Sequence, residues 1–188
     1  ATTNPTVSGT RTTSQVLTAS PGTWSAFPVP TTSYQWFRCT SQVAAVATSL
    51  PSQCSEISGA TSTTYTQVSA DASRFITVQT TQTNSVGTTN LWSSATVATT
   101  QPPTLVTEPT ISGTASFGSS LTVNPGTWQG FPAPAFSYQW YSCDIESPQT
   151  GATVPAGCEE IGSGAEARSI SAGWTHTLSL IHISEPTR

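Results

Sequence analysis

The chain has 188 residues, a formal net charge of −4 and only 7% charged residues, none of them Lys. A few scattered Arg cannot neutralise a phosphate backbone or hold an anionic membrane surface, so we expect no nucleic-acid partner. No apolar run approaches spanning length, so we expect no membrane insertion either. Six Trp, six Phe and four Tyr recur between Gly and Pro turns, which argues against disorder, and the many Thr favour strands.

One stretch of the sequence occurs twice. Residues 21–39 read PGTWSAFPVPTTSYQWFRC, and residues 125–143, which lie 104 positions further on, read PGTWQGFPAPAFSYQWYSC. The same offset relates five further pairs: Pro5 and Pro109, Gly9 and Gly113, Leu17 and Leu121, Cys54 and Cys158, Ile57 and Ile161. A repeat of this length is one all-β domain. We therefore predict a first domain at 1–100, a linker at 101–107 and an incomplete second domain at 108–177.

Short strands follow one another through the first repeat. In chain order we predict strands at Thr6–Ser8, Val16–Ser20, 33–39, 65–68, Phe75–Asn84 and 89–98, with a hairpin turn at 84–87. A series of short strands separated by turn signals predicts an all-β fold built as a two-sheet sandwich.

The strand at 33–39 has two distinct faces. Alternation places Tyr34 and Trp36 on one face, and Phe37 and Cys39 on the other. We place Trp36 in the core. Tyr138 and Trp140 are the counterparts of Tyr34 and Trp36 in the second repeat. We call these four residues the signature aromatics and the strand that carries them the signature strand.

The four Cys form one pair in each repeat, with the same spacing. Pairing within the repeats, Cys39 with Cys54 and Cys143 with Cys158, is favoured over the other two connectivities because the duplication reproduces each pair intact. A disulfide between Cys39 and Cys54 closes the loop formed by residues 40–53 and stabilises the fold by roughly 3 kcal/mol. Disulfides also predict an oxidising compartment, and hence an extracellular or cell-surface location.

Taken together, these motifs resemble a known family. The segments PTVSG, PGTW, YQWFRC and CSEI, followed by DASRFI and NSVG, are similar to the bacterial immunoglobulin-like repeats of secreted and wall-associated proteins, especially those of actinobacteria. The resemblance implies tandem β-sandwiches that act as a spacer, stalk or adhesive module, with neighbouring repeats as partners. Antibody-type domains join their two sheets by a disulfide. Because Leu17 and residues 76–78 occupy those strands here, we expect a local disulfide beside its own strand.

The last residues do not continue the repeat. Residues 178–188, LSLIHISEPTR, resemble the in-frame translation of a sequencing-library adapter. We predict a non-native tail there, with a divergent last strand as the alternative.

The sequence gives little evidence for a catalytic site or a metal-binding site. His176 and His182 have no counterpart in the first repeat, so a Ser-His-Asp arrangement lacks a base, and we expect neither an enzyme nor a cofactor. Four carboxylates flank the second cysteine pair and could gather around Ca²⁺: Asp144, Glu146, Glu159 and Glu160. The first repeat shares only one of them, so solvated surface acids are the favoured interpretation and no metal is predicted.

Aromatic residues of one loop are the remaining candidates. Trp24 and Phe27, repeated as Trp128 and Phe131, could stack on the sugar rings of a cell-wall or host glycan. Because both repeats keep the pair, a scaffold role is favoured. The sequence thus leads to a non-enzymatic extracellular spacer or adhesion segment. The alternative is a carbohydrate-binding accessory region of a secreted glycoside hydrolase.

Overall fold

The computed structural model describes residues 1–114, 116, 118–143, 157–161 and 177–180. Within these ranges the secondary structure is β, apart from one 3-10 turn at Ser69–Asp71, which confirms the all-β prediction. The chain divides into two compact units, one comprising Ala1–Pro102 with Gly130–Pro132, the other Pro103–Gln129 with Ala133–Arg188.

Seven strands build the first unit. They are β1 (Thr6–Ser8), β2 (Val16–Ser20), β3 (Thr31–Cys39), β4 (Cys54–Glu56), β5 (Thr64–Thr66), β6 (Phe75–Asn84) and β7 (Gly87–Trp92). One sheet has the order β1-β2-β5 and the other β4-β3-β6-β7, and every neighbouring pair is antiparallel.

The main core of this unit draws on both sheets. In β2 the residues alternate between exposed and buried, as expected for a strand with one face covered. Six buried residues form the cluster: Leu17, Ala19, Trp36, Tyr65, Ile76 and Val78. The Trp36 and Tyr65 rings lie 5.6 Å apart, and the indole N–H of Trp36 donates to the Ser62 carbonyl at 2.8 Å. The largest core side chain is thus both packed and hydrogen-bonded.

A second apolar cluster lies on the opposite face of the four-stranded sheet. Residues 40–53, here called the excursion, leave the end of β3 and cover Phe37 and Trp92 on that face. Two isolated antiparallel bridges attach the excursion, Val43 with Ala95 and Ala47 with Trp92. The Phe37 and Trp92 rings meet edge to face, 6.2 Å apart. This sheet is therefore buried on both faces at one end.

Strand β7 is shorter than the sequence predicts. It ends at Trp92, whereas the pattern predicted a strand to residue 98. Ser93 turns inward: its hydroxyl accepts the Val78 N–H at 3.2 Å, and its carbonyl accepts the Thr77 hydroxyl at 2.6 Å. These bonds add to a backbone bond from the Ser93 N–H to the Val78 carbonyl at 2.9 Å. The following residues form only isolated bridges, such as Ala98 with Phe75.

The beginning and the end of the first unit lie side by side. Thr12 and Thr100 form a parallel bridge. The Thr13 N–H donates to the Thr100 carbonyl at 2.9 Å, and the Thr100 N–H donates to the Arg11 carbonyl at 2.8 Å. The Thr100 hydroxyl also donates to the Arg11 carbonyl, at 2.9 Å. Several hydrogen bonds therefore join two segments that are far apart in sequence.

A buried amide reinforces this junction. The Gln67 side chain is 1% exposed, and its Nε2 donates to the carbonyls of Thr10, Thr12 and Gln15 at 2.8, 2.9 and 3.2 Å. Its Oε1 accepts the Thr99 hydroxyl at 2.9 Å. Each polar atom of a buried amide needs such partners, so this side chain holds three parts of the chain together.

The remaining strands of the described residues follow along the chain. They are β8 (Gln101–Thr107), β9 (Thr110–Gly113), β10 (Leu121–Asn124), β11 (Thr127–Phe131), β12 (Trp140–Cys143), β13 (Cys158–Glu160) and β14 (Thr177–Leu180). They pair as β10-β9, β11-β8 and β13-β12-β14. Residues 101–107, assigned to a linker from the sequence, form β8. In the part of the chain that the structure describes, no helix has the length and apolar character needed to cross a membrane.

Candidate functional site

The loop between β2 and β3 carries the predicted aromatic pair of the first unit. Trp24 is half-buried, and its indole N–H donates to the Pro21 carbonyl at 2.9 Å, within the same loop. Gly22 has φ 74°, and a Cβ at this position would collide with the Thr3 carbonyl oxygen. The sequence PGTW therefore forms a turn in which only Gly fits at position 22. The hydrogen bond of the Trp24 indole closes this turn.

Phe27 lies at the tip of that loop and is 91% exposed, while nearby Val29 is 84% exposed. The Asn84 side-chain amide donates to the Pro28 carbonyl at 2.8 Å and so ties the loop to the β6–β7 hairpin, where Val86 is 80% exposed. We call Phe27, Val29 and Val86 the apolar tip. Exposed apolar side chains on two adjoining loops are a common mark of an interaction surface.

In the second repeat, the corresponding loop has the same turn but not the same exposed phenylalanine. The Trp128 indole N–H donates to the Pro125 carbonyl at 2.9 Å, and the ring is half-buried, as in the first unit. Phe131, however, is half-buried and ends β11, which pairs with β8. Of the four predicted stacking residues, Phe27 alone is fully open to a ligand.

The first cysteine pair forms a disulfide, Cys39–Cys54. Cys39 and Cys54 face one another in the register of β3 and β4, so the bond lies within one sheet and closes the excursion at its base. Cys39 is buried with Phe37, on the face opposite Trp36. In the second unit Cys158 is disulfide-bonded, and Cys143 is its partner in the register of β12 and β13.

The four signature aromatics differ between the units. Trp36 is fully buried, and Tyr34 packs against the same cluster. Trp140 is half-buried, and Tyr138 is 46% exposed.

A glutamine anchors the signature strand in both units. The Gln35 Nε2 donates to the carbonyl of the following Trp36 at 3.0 Å and to that of Ile57 at 2.8 Å. Its counterpart Gln139 makes the same pair of bonds, 3.1 Å to Trp140 and 2.9 Å to the Ile161 carbonyl. The Gln of YQW was visible in both copies of the sequence, and that recurrence was the available signal for its role.

A charged cluster that the sequence did not predict lies at the end of the main core. The Asp71 side chain is fully buried and accepts Nε and Nη2 of Arg38, both at 2.6 Å. It also accepts the Tyr65 hydroxyl at 2.7 Å and the Val68 N–H at 2.7 Å. Burial, and secondly the hydrogen bond to Asp71, raise the pKa of Tyr65 to about 12. The carboxylate is fully satisfied, so it fixes the corner before β6.

Several predicted positions lie elsewhere. His176, His182, Asp144 and Glu146 are outside the described residues. Glu159 and Glu160 are exposed on β13. Across the described ranges, no group of three or more His, Cys, Asp or Glu side chains could hold a metal ion.

Comparison of the chain with protein-family models, with curated proteins and with solved structures gave no match.

Proposed function

We propose that this chain is a non-enzymatic extracellular segment, built from tandem immunoglobulin-like repeats, that acts as a spacer or adhesion module. The strand order of the first unit supports this proposal. Its first, second and fifth strands share one sheet, and the other sheet places β3 and β6 at its centre, as in immunoglobulin-like sandwiches. The disulfide supports the extracellular location, because disulfides persist in oxidising compartments.

The spacer role rests on the conformation of residues 101–107. They form a paired strand, with the Thr107 and Thr127 hydroxyls 2.7 Å apart and the Thr104 hydroxyl 3.4 Å from the Gln129 carbonyl. Pro102 further restricts the backbone. A paired strand advances the chain by about 3.3 Å per residue with little freedom, whereas a Gly/Ser linker is a random coil.

The proposal is tested by loosening this segment in the full chain. Residues 101–107 are replaced by a Gly/Ser sequence of equal length, and the rotational correlation times of the two units are measured by ¹⁵N relaxation. A spacer predicts equal, slow tumbling of both units in the natural chain and faster, unequal tumbling in the variant. A control with Ser49→Gly and Ser52→Gly, both exposed in the excursion, should behave as the natural chain does. Identical relaxation in all three proteins would refute a spacing role for β8.

The second candidate is a carbohydrate-binding accessory region, and the exposure of Phe27 is the observation that favours it. A free ring face can stack on a sugar. Glycan-array binding by the full chain that disappears on Phe27→Ser would support this candidate, and an array without retained glycans would remove it.

A further inference from the structure

The same phenylalanine has two different environments in the two repeats. Phe27 is 91% exposed, and residues 23–27 belong to no strand. Phe131 is half-buried, and residues 127–131 form β11 beside β8. The two loops have the same Trp–carbonyl bond and the same glycine turn, so the loops themselves do not account for the difference. The segments beside the two loops do differ: β8 pairs with β11, whereas Thr2 and Thr3 bond only to Thr23.

The pairing seen in the second unit is begun in the first. The Thr127 N–H donates to the Thr107 hydroxyl at 2.8 Å, and 104 positions earlier the Thr23 N–H donates to the Thr3 hydroxyl at 2.7 Å. The N–H groups of Thr2 and Thr3 add bonds to the Thr23 carbonyl at 2.7 and 3.3 Å. Residues 1–3 therefore lie along the loop as residues 105–107 do, and the direction of this pairing leads on toward Phe27.

We infer that residues 23–27 form a strand-addition site for an extended segment of the β8 type, joined directly before Ala1. This inference rests on the proposed function, since it identifies the partner of the apolar tip as the interval between one repeat and the next. Such a segment adds backbone hydrogen bonds to a free edge and covers the exposed ring. Prolines like Pro102 fit there, because an edge strand tolerates residues without an N–H. The tip and β8 are both uncharged, so no charge is buried.

The test supplies the first repeat with a preceding segment like the one that precedes the second repeat. The full chain is extended before Ala1 by a copy of residues 97–104, VATTQPPT, and amide hydrogen exchange is followed by NMR. We expect the amides of Ser25 and Phe27, whose counterparts Gln129 and Phe131 lie on the β8-facing alternation of β11, to exchange at about one tenth of their original rate or slower, as for residues that enter a strand pair. Phe27→Ser should remove most of this protection without unfolding the chain, since the ring is exposed. Phe131→Ser, at the corresponding position of the second repeat, should leave it unchanged.

An extension of eight Gly and Ser residues is the matched control and should give no protection. Equal exchange with and without VATTQPPT would overturn the inference, as would equal protection by the Gly/Ser extension. Protection by an added glycan in the unextended chain, with none from VATTQPPT, would assign the tip to sugar and also overturn it. The spacer proposal is judged on the tumbling of the two units, so either proposal can fail while the other stands.

Discussion

The two units share their local contacts but differ in how they bury the same tryptophan. The loop bonds of Trp24 and Trp128 are the same, as are the amide anchors of Gln35 and Gln139. Trp36 is nonetheless fully buried, whereas its counterpart is half-buried. Local geometry follows from a short stretch of sequence, whereas burial of a core side chain depends on strands contributed from distant positions.

The cover of Trp36 shows how distant these contributions are. Leu17 comes from β2, Tyr65 from β5, and Ile76 and Val78 from β6. In the second unit Leu121, the counterpart of Leu17, is only half-buried. Strand β14 lies beside β12 and pairs residue 180 with Trp140, as Val78 pairs with Trp36, so the neighbouring strand position is filled in both units.

The largest expected difference in stability between the two units comes from truncating the two tryptophans. Trp36→Ala should destabilise the first unit by about 4 kcal/mol, because it removes a large buried ring and leaves a cavity. Trp140→Ala should destabilise the second unit by less than about half of that, since a half-buried ring loses less apolar contact. Urea unfolding followed by residue-resolved NMR reports the two units separately. Equal losses would show that the difference in burial does not reflect a difference in cover.

The charged cluster offers a smaller test, because the second repeat has Ser142 where the first has Arg38. Arg38→Ser should destabilise the first unit by about 3 kcal/mol, since it leaves the Asp71 carboxylate buried without its counter-charge. Arg74→Ser, a change of the same kind at a partly exposed Arg, is the control and should change the unfolding free energy by under about 1 kcal/mol. Similar midpoints for both variants in denaturant titrations would contradict a stabilising role for the pair.

The smallest expected effect is a pH dependence confined to the first unit. The pKa of Tyr65 is raised from 10.0 to about 12 in the folded chain. A raised pKa means that the neutral phenol is stabilised by folding, so this contribution is complete below pH 10 and is lost as the pH rises from 10 toward 12. A rise of this size corresponds to at most about 2.7 kcal/mol, which solvent screening reduces to roughly 2 kcal/mol.

Tyr65→Phe provides the comparison for that measurement. The variant lacks the hydroxyl, so it should be less stable than the natural chain at neutral pH, and the gap should narrow above pH 10. Thermal unfolding at a series of pH values with brief exposure to alkali measures the gap. A constant gap across this range would rule out the linkage to the phenol.

Strand periodicity made much of the first unit predictable from its sequence. The bounds of β2 and β6 agree with the prediction, because apolar alternation and flanking turn residues mark both. Alternation also places Trp36 and Cys39 on opposite faces of β3, as the structure has them. Duplication of the cysteine spacing indicated the Cys39–Cys54 bond.

Hydrogen bonds and ion pairs between residues far apart in sequence produce no periodic pattern in the sequence. Arg38 and Asp71 are 33 positions apart, and Gln67 reaches carbonyls more than 50 positions away, so neither contact has a period or a local spacing to reveal it. Strand β8 was assigned to a linker because Pro102 and Pro103 signal a break. Prolines are compatible with an edge strand, and only the partner strand shows that one forms.

The parallel bridge between Thr12 and Thr100 has a consequence for a chain under tension. Force applied at the two ends of the first unit pulls two parallel segments in opposite directions, one toward its N-terminus and the other toward its C-terminus. Their hydrogen bonds, among them 2.9 Å from the Thr13 N–H and 2.8 Å from the Thr100 N–H, then lie across the direction of pull. They share the load in shear, so they must break together, whereas an antiparallel hairpin pulled from its open end opens one bond at a time.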